Sequence, residues 1–197
     1  MCRYTIAVCN YNMAKTLEES LRSILDQIDE RFEVLVIDDG STDSSQEILD
    51  RLDEEYEALR WIEGDNDNIG EARAMANREA RGEYVIAQLD ADDKIKPVIQ
   101  DMVKMYHKVE KEREGMFWMN HMAPRDLLLD TNYRSMGRGE DRDLKRRLLA
   151  KDAFLPLKRN SIEETLGYNY GKIDKLKNGY ETTKNIFRSG VKPFSYI

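Results

Sequence analysis

Three short apolar runs constrain this chain most: TIAVC at residues 5–9, VLVI at 34–37 and YVIAQL at 84–89. Each is short, bounded by polar residues, and reads as a buried strand. Between the first two, Leu17, Leu21, Ile24, Leu25 and Ile28 recur at helical spacing; after the second, so do Ile48, Leu49, Leu52, Tyr56 and Leu59. Ser44 and Glu47 have the spacing of a capping box. Trp61-Ile62 reads as a short strand. A third helix is expected from about residue 71 to 81, with Gly82 as its C-terminal stop. Strands alternating with helices in this way predict an α/β fold: a single Rossmann-like, doubly wound, mostly parallel sheet flanked by helices.

Such sheets bind ligands beyond the carboxyl ends of their strands. Asn10, Tyr11 and Asn12 sit at one such end, Asp38, Asp39 and Gly40 at another, and Asp90, Ala91, Asp92 and Asp93 at a third. Three separate stretches therefore converge on one crevice.

The last cluster raises a question of charge. Buried carboxylates are costly unless paired or bound to a cation. Asp90-Ala91-Asp92 is an Asp-x-Asp at a strand end; a hard divalent cation would neutralise it, and a diphosphate would complete the site. Read alone, the same residues also suit a solvated turn. Asp38-Asp39-Gly40-Ser41 carries the same two readings: a turn leading into a helix, or an acceptor for a nucleotide base or ribose. Glu140-Asp141 opens an expected helix over residues 138–149, with Leu144, Leu148 and Leu149 on one face. Acidic residues suit a first helical turn, and one carboxylate there could equally serve as a general base.

Elsewhere, Pro97 opens a helix expected to reach about residue 112, with Met102, Val103, Tyr106 and Val109 buried and His107 on the exposed side. Residues 116–122 and 127–129 read as strands. Residues 158–197 have only patchy periodicity.

A chain of 197 residues is long enough for one domain with a real core. Its net charge of −7 argues against a nucleic-acid partner. Residues 158–197 hold eight basic and four acidic residues, so the tail is net positive. Cys2 and Cys9 form no disulfide framework, so a reducing compartment, the cytoplasm, is expected. No apolar run reaches the length of a membrane span, which leaves peripheral membrane contact open. Phosphate-binding glycine loops and a nucleophile elbow are missing. His107 and His121 are wrongly spaced for zinc.

VCNYN, VLVIDDGSTD, NIGEARAMAN, IAQLDADD and RGEDRDL, in this order over residues 5–149, resemble the family 2 glycosyltransferases of the GT-A fold. The resemblance implies inverting transfer of a sugar from a nucleotide-diphosphate sugar donor to an acceptor hydroxyl. That acceptor would be a glycan, a protein or a lipid-linked molecule. A divalent metal, Mn2+ or Mg2+, is implied as cofactor. By position, Tyr11 would stack near the base, Asp39 would contact base or ribose with Asp38 beside it, and Arg73 would reach the base or phosphates. Asp90 and Ala91 would lie near the ribose, and Asp90 and Asp92 would hold the metal, Asp92 chiefly. Asp141 would be the catalytic base and Glu140 would help orient the acceptor. Cys9 stands where the family often has Ser or Thr, which leaves its backbone to contact the nucleotide.

The expected organisation is a catalytic domain over residues 1–157, with a nucleotide-binding half (1–93) and an acceptor half (94–157), followed by the basic tail (158–197). Length and pattern are also similar to those of a viral member of the family, which would place the protein in host cytoplasm. Two alternatives come from other classes. A nucleotidyltransferase would need a glycine-rich loop that VCNYNMAKT lacks. A nucleotide-sugar-binding module without transfer activity would keep the donor site alone.

Overall fold

The computed structural model describes residues 2–117, 121–156 and 162–166. In chain order the elements are β1 (Tyr4–Asn10), α1 (Ala14–Leu25), β2 (Phe32–Asp38), α2 (Ser45–Glu55), β3 (Leu59–Glu63), α3 (Ile69–Glu79) and β4 (Tyr84–Asp90). They continue with β5 (Asp93–Ile95), α4 (Ile99–Glu110), β6 (Met116–Phe117), β7 (Met122–Pro124), α5 (Arg125–Asp130), α6 (Glu140–Ala150), β8 (Phe154–Leu155) and β9 (Ile162–Thr165).

The main sheet has the order β3-β2-β1-β4-β7-β6-β8. Its first four strands run parallel, and β7 joins β4 antiparallel. A separate antiparallel pair joins β5 to β9. Every residue of β1 and β2 is buried, because helices cover both faces. Alternation sends Ile6 and Val8 into the core under α1, α2 and α4, and Ala7 and Cys9 into the core under α3, α5 and α6. The second core is rich in alanine: Ala72, Ala74 and Ala76 bring the α3 backbone close to the sheet.

Several local expectations are corrected. Residues 127–129 are helical, within α5, and only Leu128 of the helix is buried. Leu149 faces solvent; the inward stripe of α6 is Glu140, Asp143, Leu144 and Leu148. Ser44 precedes α2 but its side chain makes no cap; Asp43 Oδ1 accepts the Ser45 N–H instead. Leu59 belongs to β3 rather than to the helix before it. Helix α3 starts earlier than expected, with the Asn68 side chain accepting from the Glu71 N–H, and ends at Glu79. Gly82 lies beyond that end for another reason: a Cβ there would stand 2.7 Å from the Tyr4 carbonyl carbon. His107 is not on a bare outer face. Its ring lies among Tyr4, Tyr84 and Tyr106, with Nε2 3.0 Å from Tyr4 Oη and Nδ1 2.8 Å from Glu110. The expected strand over 116–122 appears as β6 and β7, and residues 118–120 lie outside the described residues. So does most of the basic tail.

Candidate active site

The carboxyl ends of β1, β2 and β4 meet. Asn10 is registered with Asp38, and Cys9 with Asp90. Reaching that register takes an irregularity in β4. Its pairing with β1 shifts between Ile6 and Val8, and Gln88 adopts φ 67°. A positive φ at a non-glycine residue within a strand is strained, and such bulges re-aim the residues that follow. Here those residues are Leu89 and Asp90.

The convergence leaves a cleft of about 710 Å³, lined among others by Cys9, Tyr11, Asp39, Asn66 and Asp90. Asp65 and Asp67 add two more carboxylates to its lining, and no Lys or Arg is among the described residues that line it. The GDND stretch of residues 64–67 was missed as a site in the sequence. Its density of turn-forming residues just after the short strand at 61–62 was the available signal.

The two adjacent carboxylates after β2 have different fates. Asp38 is fully buried. It accepts from Asn10 Nδ2 at 2.6 Å, Ser41 Oγ at 2.6 Å, Ser41 N at 3.1 Å and Gln46 Nε2 at 3.1 Å. Asp38 thus knits the loops together beneath the cleft. Asp39 lines the cleft, with Oδ1 accepting both the backbone and side-chain N–H groups of Asn66 at 2.9 and 2.8 Å. Asp38→Ala is expected to destabilise the fold by about 2–4 kcal/mol, since it strands several buried donors. Thermal unfolding reads this directly; an unchanged melting temperature with lost ligand binding would move Asp38 into the site.

Asp90 is 40% exposed at its side chain and holds the floor of the cleft. Ala91 is fully buried and its N–H donates to the Cys9 carbonyl at 3.2 Å, so the turn after β4 is tied to β1. Asp92 is 8% exposed and no basic side chain among the described residues pairs with it. Burial, and then the charge of Asp90, raise its pKa. The Cys9 thiol is pushed up to about 12, chiefly by burial, and is inert. Tyr11 is exposed at the cleft's mouth.

One side of the cleft, at Gly137, is set by a stitched loop. Gly139, at φ 84°, opens α6, and the Asp143 N–H donates to its carbonyl. Asp143 is fully buried between Arg134 and Arg147, and Arg147 also donates to the carbonyls of Thr131 and Asn132. Asn77 bonds to Asn132 at 2.9 Å, and Asn68 to Ser135 at 2.9 Å. The Gly70 N–H donates to Met136 O at 3.1 Å, and a Cβ on Gly70 would collide with the Arg134 carbonyl. The loop over 131–139 is thereby fastened to α3 on one side and α6 on the other.

In the first turn of α6, Asp141 Oδ2 accepts from Lys145 Nζ at 2.7 Å. Burial alone would raise its pKa, but the Lys145 ammonium outweighs that and the carboxyl sits below its ordinary value. Glu140 behaves the other way: burial raises its pKa, against the pull of Arg73. Arg73 bonds to Asp90 at 2.8 Å and lies 3.4 Å from Glu140. Of the residues named from the sequence, Cys9, Tyr11, Asp39 and Asp90 line the cleft; Asp38, Arg73, Ala91, Asp92, Glu140 and Asp141 do not, and Asp141 follows Glu140 in the first turn of α6.

Among the described residues no group of three His, Cys, Asp or Glu side chains forms a ready-made metal cage. That donor set fits a cation held by one or two carboxylates and by substrate phosphates. No helix among the described residues is long and apolar enough to cross a membrane.

The fold and sequence have known relatives. An uncharacterized glycosyltransferase of Nostoc sp. is 34% identical over 106 residues, which is 53% of this chain and 33% of the relative. This chain therefore spans about a third of that curated relative's length. A mannosyltransferase from Pyrobaculum calidifontis, solved with GDP-Man and Mn2+, superimposes with a TM-score of 0.72 at 22% identity, covering 97% of this chain and 66% of that one. Glucosyl-3-phosphoglycerate synthase from Mycobacterium tuberculosis, solved with Mn2+, UDP and glucosyl-3-phosphoglycerate, gives a TM-score of 0.70 at 15% identity, covering 98% and 82%. These neighbours share the GT-A fold, as the sequence predicts, and nothing in them points to a viral source. Residues 5–158 match the description Glycosyl transferase family 2, and the chain belongs to that family.

Proposed function

We infer that this protein transfers a sugar from a nucleoside diphosphate donor to an acceptor hydroxyl, with inversion at the anomeric carbon and with a divalent cation, Mn2+ or Mg2+. The observation that carries this reading is the cleft's charge. Four carboxylates and no basic side chain among the described lining residues face the space where a diphosphate would lie. Such a lining repels a bare diphosphate and accepts one that arrives with a cation. Asp90 and Asp92 are the residues that would hold it. When bound, the cation would neutralise charge that grows on the departing diphosphate.

The chain's own residues supply the rest. Tyr11 offers a ring for the base at the mouth of the cleft. Asp39, its Oδ1 already committed to Asn66, accepts from base or ribose through Oδ2. Asp141 Oδ takes the proton of the attacking hydroxyl; its lowered pKa keeps it charged and ready. Glu140 helps to orient the acceptor. The structural neighbours, which bind GDP-Man or UDP together with Mn2+, support a donor of the same chemical class.

The test is thermal unfolding against UDP, GDP and their sugar conjugates, with and without Mn2+, followed by a transfer assay. A ligand at one hundred times its dissociation constant stabilises the fold by about 2.7 kcal/mol. The expected result is a metal-dependent shift for one nucleotide, and sugar transfer from its conjugate. Binding without transfer or hydrolysis would favour a nucleotide-sugar-binding module. No shift with any of them would count against the donor site.

A further inference from the structure

Arg73 lies under the floor of the cleft rather than in it. Ile69 and Ala72 of the same helix line the cleft; Arg73 does not, and its side chain is 9% exposed. Its terminal nitrogens diverge. Nη2 donates to Asp90 Oδ1 at 2.8 Å, and Nη1 lies 3.4 Å from Glu140 Oε1. Nε is buried and without a hydrogen-bond partner. Asp90 ends the donor-side strand, and Glu140 begins the helix that carries Asp141.

We propose that Arg73 is a positioning residue that bridges Asp90 and Glu140, so that Asp141 is held at a set distance from the donor end of the cleft. It acts through these two carboxylates and touches neither substrate. The proposal rests on the transfer reading above. A planar guanidinium can serve two carboxylates that diverge; an ammonium is a point charge and cannot hold both in one geometry. A partly buried ion cluster adds little net stability, because desolvation of Arg73 and Glu140 offsets the attraction. The unpaired Nε–H adds a further cost. What the arrangement supplies is placement: two carboxylates from distant elements, which would repel one another, are kept side by side.

The experiment is a double-mutant cycle on Arg73→Met and Glu140→Gln, with Arg73→Lys as the charge-conserving variant. Turnover is read as nucleoside diphosphate released from UDP-glucose, UDP-N-acetylglucosamine or GDP-mannose, whichever the wild type uses best, with water or an alkyl glycoside as acceptor. Affinity is read as UDP or GDP binding in Mn2+. Arg73→Met is expected to lower kcat by at least about 100-fold, with nucleotide affinity changed by less than about threefold. Adding Glu140→Gln to it should cost less than about threefold more, although Glu140→Gln alone costs about tenfold or more. Arg73→Lys should recover part of kcat. If Arg73→Met does not fold, the charge-balanced double variant and Arg73→Lys carry the same comparison. Multiplicative losses in the cycle would overturn the proposal. So would a tenfold or larger loss of nucleotide affinity with kcat retained, which would give Arg73 a role in donor binding alone. A wild type that transfers from no donor would overturn the transfer reading and this inference with it; an active wild type with a multiplicative cycle would overturn this inference alone.

Discussion

Asp141→Asn is expected to lower sugar transfer by about 10²–10⁴-fold, the range for a lost general base. Asparagine keeps the shape and can still accept from Lys145, so the fold and the donor cleft should survive. It cannot take a proton. Lys145 holds the Asp141 carboxyl below its ordinary value against the opposing effect of burial. A lowered pKa means the charged form persists to more acidic pH. The acid limb of wild-type kcat should therefore fall below about pH 4, the value of an unperturbed aspartate. The checks are kcat at saturating donor, a nucleotide titration and a pH profile. Wild-type rates from Asp141→Asn would remove it as the base.

Chelating the divalent metal is expected to weaken nucleoside diphosphate binding by at least about 100-fold, while a nucleoside without phosphates binds much as before. Each close contact between like charges costs about 1 kcal/mol in water and about 4 kcal/mol at an effective dielectric of 20. Four cleft carboxylates and no cationic residue among the described lining make several such contacts unavoidable for a bare diphosphate. Asp92 feels the same crowding: burial, then the Asp90 charge, push its pKa up. Asp92→Ala should reproduce most of the loss seen with EDTA. Full diphosphate affinity in EDTA, read by calorimetry, would end the case for a metal-dependent donor site.

The parallel sheet was readable because its strands announce themselves. Short apolar runs separated by helix-period segments leave few alternatives, and the polar residues after each run mark the strand ends. The cleft at the strand ends was readable in outline for the same reason. Its inner partition was not. Asp38 and Asp39 are neighbours of one type, yet one is buried as a knot of hydrogen bonds and the other lines the cleft. That difference depends on the register with Asn10 and on the Asn66 loop, neither of which has a local signature. For Arg73 the family resemblance implied a ligand contact, and its carboxylate partners come from two other elements, which no local pattern announces. The three leucines at 127–129 misled because so short a run carries no period. His107 looked like a surface residue because the aromatic rings around it come from β1, β4 and its own helix.

The stitched loop over 131–139 has a consequence for engineering. The loop makes its contacts across the expected division at residue 93. Asn132 bonds to Asn77, Ser135 to Asn68, and the Arg134 carbonyl presses on Gly70, so this loop is cut to fit one particular α3. A chimera that grafts a relative's counterpart of residues 94–157 onto residues 1–93 would import a loop shaped for another helix. To exchange residues 94–157, the buried face of α3 that carries Gly70 and Asn77 has to travel with the loop.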